Sequence, residues 1–326
     1  MIGLARVVLV LVALAALASS AAAENPRLRI GVLKFGTVNW ELDVIRHHGL
    51  DRAEGIALEV VQLASKQATT VALQGRAVDM IVSDWIWVSR QRAEGADFTF
   101  VPYSATVGAL VVRTDSAIAT LADLEGKRLG IAGGPVDKSW LLLRALAAKR
   151  FALDLDAEVD KVFAAPPLLN EEIKAGRIDA VITFWHYAAR LEAAGMRRLM
   201  GVDEAARALG VHSRVPLIGY VFSEAWGERH RDQVLAFLRA SRGAKRRLRD
   251  SDAEWERLKP LTRARDEATL TALRERFRAG IPERWGEAER RDAARMFEIL
   301  SALGGKKLVG ASQTLAPGTF WSGYSY

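Results

Sequence analysis

A hydroxyl stands two positions before an indole at Ser83 and Trp85 and again, one hundred positions later, at Thr183 and Trp185. Neither hydroxyl sits in a G-x-S-x-G elbow, and the sequence contains no P-loop, no H-E-x-x-H and no cysteine. These side chains therefore suit holding a solute by hydrogen bonds and flat apolar walls better than attacking one. Further groups of the same kind lie at similar junctions. "LKFGTVNW" offers Thr37, Asn39 and Trp40, and "ASKQ" offers Ser65, Lys66 and Gln67. "SDW" places Asp84 between its Ser and Trp, "AGGPVDKSW" offers Gly133, Gly134, Lys138, Ser139 and Trp140, and "TFWHY" adds His186 to Trp185.

Each of these groups has two uses. Ser65, Ser83 and Ser139 suit helix N-caps as well as ligand contacts, and Asp84 suits a cap as well as an ammonium group. Lys66 at a strand exit is placed for an anion or for solvent. Gly133 and Gly134 leave bare backbone that a ligand can approach. His47-His48 lie at a helix end where neighbouring residues point in different directions, and His186 and His212 lack acidic companions at ligand spacing, so no metal site is expected. No cofactor is expected either. A ligand held between matching junctions would bring Trp85 and Trp185 towards each other.

The elements that carry these junctions repeat. "GRAVDMIVSDWIWV" and "AGRIDAVITFWHYA" each pass from Gly-Arg to an Asp, an apolar β-branched run, a hydroxyl and a Trp. "LRIGVLKFGTVNWELDVI" and "KRLGIAGGPVDKSWLLLRAL" each read as strand, Gly-containing turn and Trp-led helix, at nearly the same offset. Strands at 28–33, 58–63 and 79–82 alternate with helices at 40–48, 67–74 and 86–94; strands at 128–132, 159–163 and 179–183 alternate with helices at 138–150, 167–174 and 186–194. The alternation predicts an α/β protein with two like lobes, joined by extended crossings, and a largely helical C-terminal segment over 224–303.

The first 23 residues hold one charge, Arg6, an apolar stretch and Ala21-x-Ala23, the pattern of a secretory signal peptide. Its removal changes 46 basic and 39 acidic residues to 45 and 39, a formal +6. Without cysteine there is no disulfide, thiolate site or lipid attachment at cysteine, so the expected address is the periplasm. The basic segment 229–250 spaces Val234, Leu235, Phe237 and Leu238 on one helical face, as the solvated back of a packed helix would. An exported protein has little occasion to meet nucleic acid.

Three phrases bring out a resemblance: "GALVVRTDSAIATLADLEGKRLGIAGG", "IKAGRIDAVITFW" and "YVFSEAWGERHRDQVLAFLRA". With the element order, they resemble the solute-binding proteins of the nitrate, sulfonate and taurine class of ABC transporters, which have the type 2 periplasmic binding fold. The resemblance implies a discontinuous first lobe, 24–112 with 214–326, and a second lobe at 113–213. It also implies a monomer that closes on a small, anionic organic solute and delivers it to a permease and its ATPase, without catalysis. Two other readings stand beside it: binding or synthesis of a thiamine-type pyrimidine precursor, by proteins that share the fold, and a periplasmic sensor subunit. The synthase's cysteine-rich segment has no counterpart here.

Overall fold

The computed structural model describes residues 25–312 and 314–325; the expected leader lies outside the described residues. Ten strands form two five-stranded sheets. The strands are β1 (Arg27–Leu33), β2 (Ala57–Leu63), β3 (Met80–Asp84), β4 (Phe98–Ser104), β5 (Ala109–Val112), β6 (Arg128–Ala132), β7 (Asp160–Ala164), β8 (Ala180–Thr183), β9 (Arg197–Gly201) and β10 (Ile218–Ser223). Their orders, β2-β1-β3-β10-β4 and β7-β6-β8-β5-β9, share one plan. In each sheet three parallel strands are followed by a strand that runs antiparallel to both of its neighbours. That fourth strand is where the chain has just come from the other lobe.

The pairing moves one expected boundary. Residues 109–112 belong to the second sheet, since β5 pairs with β8 and β9, so the first crossing lies at 105–108 and not after 112. "ALVV" is buried throughout, and a fully apolar strand carries no mark of which sheet will take it.

The repeated phrases report this shared plan. Gly31 and Gly130 sit in the middle strands β1 and β6. A Cβ on Gly130 would lie 2.6 Å from Ile178 Cδ1, and one on Gly31 would lie 3.1 Å from Val78 Cγ2. Each glycine therefore admits the side chain that follows its lobe's second helix. The repeated Asp ties down the start of the same strands. Asp79 accepts from the Arg29 amide at 2.8 Å and pairs with its guanidinium at 2.6 Å, and Asp179 accepts from the Arg128 amide at 2.8 Å.

Helices Val38–His47, Lys66–Gln74 and Trp85–Ala93 serve the first sheet; Lys138–Phe151, Pro166–Lys174 and Trp185–Ala193 serve the second. Two C-terminal helices join the lobes. Glu267–Ala279 packs on Trp185–Ala193, and Glu287–Val309 packs on both Trp85–Ala93 and Lys138–Phe151. The basic helix Arg231–Asp250 buries Val234, Phe237 and Leu238 against Val38–His47. Three of its outer arginines pair with acids: Arg231 with Glu228, Arg239 with Glu54 and Arg249 with Asp250. The tail returns to the first sheet, where Thr319 and Trp321 bond to both backbone groups of Phe100 on the edge strand β4. That contact covers an edge that would otherwise be open to pairing.

Candidate functional site

Strands β1, β2 and β3 point their carboxyl ends at those of β6, β7 and β8 across a seam between the lobes, the position at which open α/β sheets take ligands. The seam has a charged part and a cavity.

At the charged part, β3 ends in Asp84, which is 3% exposed. Its Oδ1 caps helix Trp85–Ala93 through the Trp87 amide at 2.9 Å. Its Oδ2 accepts from Lys66 of the same lobe at 2.7 Å and from Lys138 of the other lobe at 3.1 Å. Burial alone would raise the Asp84 pKa; Lys138, Lys66 and the Trp87 amide overcome this and hold the carboxyl far below the usual carboxylate range. Asp137, at the matching helix start of the second lobe, caps through the Ser139 and Trp140 amides. Gly133 and Gly134 both have positive φ, and Asp137 lies so close that a Cβ on Gly133 would be 2.6 Å from its Oδ2. This turn is built to seat a cap.

The cavity, of about 310 Å³, lies between the β1 loop, helix Trp185–Ala193 and the end of helix Asp252–Thr262. Its floor is Thr37, Asn39 and Trp40. Asn39 donates to the carbonyls of Leu33 and Gly36, both at 2.8 Å, and so shapes the loop that carries Lys34 and Phe35. Trp40 meets Trp185 edge-to-face at 5.8 Å, a ring contact between the lobes. The second lobe contributes His186, Tyr187 and Arg190. Arg190 donates to the carbonyls of Thr262 at 2.6 Å and Arg263 at 3.3 Å. These bonds direct its guanidinium and leave three of its five N–H donors uncommitted to them.

The charge lining this cavity is of one sign. Lys34, Arg190 and Arg263 line it, none of its lining residues is acidic, and none of the three forms a salt bridge among the described residues. Burial lowers the Arg190 pKa; Tyr187 opposes this, and Arg263 and Arg265 add to it. Burial, then Arg190, pushes His186 down to about 3, so its imidazole is neutral. Its Nδ1 is buried without a hydrogen-bond partner among the described residues. Arg263 caps its helix in the left-handed region at φ 58, with its guanidinium 4.1 Å from the Phe35 ring centroid.

The residues expected at the strand exits thus part company. Thr37, Asn39, Trp40 and His186 line the cavity. Lys66 and Lys138 are committed to Asp84, so Lys66 is not a free anion contact. Ser65 caps its helix through Ala68 N, and Gln67 is exposed. Ser139 and Trp140 are buried, the latter with Arg144 over its ring. Ser83 and Thr183 are buried with hydroxyls that lack partners among the described residues. Trp85 and Trp185 do not meet: Trp85 is fully buried beside Phe320, whereas Trp185 packs on Trp40 and Phe277. The equal positions diverge because the C-terminal tail fills the space beside only one of them. Sequence reasoning missed Arg190, Arg263, Lys34 and Phe35; the last two lay inside "LKFGTVNW", which singled out their neighbours.

Comparison with known proteins is consistent with this geometry. Residues 44–251 match the family described as NMT1/THI5 like. The fold resembles the periplasmic aliphatic sulphonate binding protein SsuA of Escherichia coli, with TM-score 0.73 and 18% identity over 90% of this chain and 92% of that one. It also resembles the alkanesulfonate-binding protein SsuA of Xanthomonas axonopodis pv. citri bound to MOPS, with TM-score 0.69 and 19% identity over 92% and 99%. The desulfurization enzyme DszB resembles it with TM-score 0.57 and 16% identity over 85% and 92%. No curated protein sequence matches the chain.

Proposed function

The chain belongs to the NMT1/THI5-like family, and on that footing we propose that it is the periplasmic solute-binding component of an ABC importer. It takes an anionic organic solute into the cavity between its lobes and delivers it, as a monomer, to a permease and its ATPase. One observation carries the reading: Lys34, Arg190 and Arg263, from three separate stretches of chain, converge on one cavity with no acid in its lining. Cations gathered without counter-charges repel each other, and a bound anion relieves that cost. The cavity draws on both lobes, so a ligand filling it favours the closed state by the contacts it makes to each.

Under this reading the protein binds and does not catalyse. A pyrimidine precursor, neutral or cationic, would leave the three cations uncompensated. Native mass spectrometry of the protein purified from the periplasm, followed by calorimetry with the ligand it carries, tests the reading. An anion of net charge −1 or −2 is expected. A neutral or cationic ligand would overturn it in favour of the precursor-binding alternative.

A further inference from the structure

Resting on the reading of the cavity as an anion site, we infer that its ligand is a bulky aromatic anion without an ammonium group. Size is the first ground. At about 30 Å³ per water, a cavity of about 310 Å³ has the volume of some ten waters. A nitrate ion would leave most of that space hydrated, whereas cavities of this size suit organic ligands of drug-like dimensions.

The walls supply the second ground. Tyr187 presents a ring beside the buried Trp40, Pro260 and Leu261 present apolar surface, and Phe35 lines the cavity, 63% exposed. An exposed phenylalanine over a cavity is surface that a ligand can take from water. Arg263 lies over one face of Phe35 at 4.1 Å from the centroid. A planar ligand stacked in this corner gains ring contacts together with a guanidinium for its acidic group.

Charge supplies the third. An ammonium entering the cavity meets Lys34, Arg190 and Arg263 and no carboxylate in the lining. Of the carboxylates at the seam, Asp84 already accepts from both Lys66 and Lys138, and Asp137 from the Ser139 and Trp140 amides. A zwitterion such as taurine therefore gains from its sulfonate and loses at its ammonium. An arenesulfonate and an arenecarboxylate share the chemistry that fits.

Titration calorimetry with 2-naphthalenesulfonate, 2-naphthoate, 1-octanesulfonate, taurine and nitrate tests this. Both naphthalene anions are expected to bind about a hundredfold or more tighter than taurine or nitrate, two tenfold steps of discrimination, and more tightly than octanesulfonate. Phe35→Ala, at an exposed position that carries no fold, should weaken the naphthalene anions about tenfold, the scale of one lost ring contact. Taurine or nitrate binding as tightly as the naphthalene anions would overturn the inference while leaving an anion site. Octanesulfonate binding tightest would overturn its aromatic part. If none of the five binds and the protein carries a cation or a neutral molecule from the periplasm, the anion reading itself fails.

Discussion

At the scale of single residues, Arg263 and His186 each show a conflict that the site imposes on the fold. Arg263 holds a left-handed conformation at φ 58, which costs an L-residue about 1–2 kcal/mol relative to glycine. Arg263→Gly should therefore leave the urea midpoint unchanged or raise it, while calorimetry shows affinity for the anion falling about tenfold or more, as for a lost charged hydrogen bond. A parallel loss of stability would mean that the arginine serves packing instead. His186, at about 3 when folded against about 6.5 unfolded, refuses a proton that the unfolded chain accepts. Stability due to this group is intact above about pH 6.5 and declines as pH falls towards 3, by about 2 kcal/mol at pH 5. Urea unfolding at pH 7.5 and pH 5 should show His186→Asn losing less than the parent between the two; equal losses would place the proton elsewhere.

At the scale of elements, the first helix depends on a buried pair that lies outside the cavity. Glu41 on Val38–His47 and Lys245 on Arg231–Asp250 are 0% and 4% exposed and meet at 2.6 Å, with Tyr220 and Ser241 also donating to the carboxylate. Lys245 lies 4.7 Å from the Tyr103 ring centroid and 5.7 Å from that of Tyr220. Burial lowers its pKa, and Glu41 works against that shift. Breaking a buried pair by removing one partner costs about 3–5 kcal/mol, whereas removing both charges costs less. Lys245→Met is expected to lose that amount in urea unfolding, and the double change Glu41→Gln with Lys245→Met should recover part of it. A double variant as damaged as the sum of the two single ones would show that the charges are not coupled. Both residues were visible only as ordinary charges on amphipathic helices. Helical spacing tells which face a residue shares, but not that the opposing face will bring its counter-charge.

At the scale of the whole molecule, Asp84 and Lys138 join the lobes directly. With Asp84 4% and Lys138 23% exposed at the side chain, the contact is shielded enough to outweigh an ordinary surface pair, at about 1.5–3 kcal/mol for a hydrogen bond to a charged group. It therefore favours closure before any ligand arrives. Small-angle scattering of the ligand-free protein should give a larger radius of gyration for Lys138→Ala than for the parent. An unchanged radius would assign closure to the aromatic contact of Trp40 with Trp185 and the bridging C-terminal helices.

Local chemistry was enough for the two-lobe plan. The glycines of β1 and β6, the aspartates that tie their starts, and the strand-helix alternation all act within about fifty residues of chain, so their pattern is written in order along it. The family resemblance followed from phrases that overlap these, together with the return segment at 220–240. Tertiary structure alone decided which charges cancel and which are left over. Lys66 and Asp84 each suited a ligand until the fold placed Lys138 of the other lobe beside them. Lys34, Arg190 and Arg263 are far apart in the chain, and what makes them a site is the meeting of a loop, a helix of the second lobe and a helix end from the C-terminal segment around one cavity. Side-chain type and spacing carry the chemistry of each junction; the sign of the field between the lobes depends on how the two lobes close, which no single stretch of sequence contains.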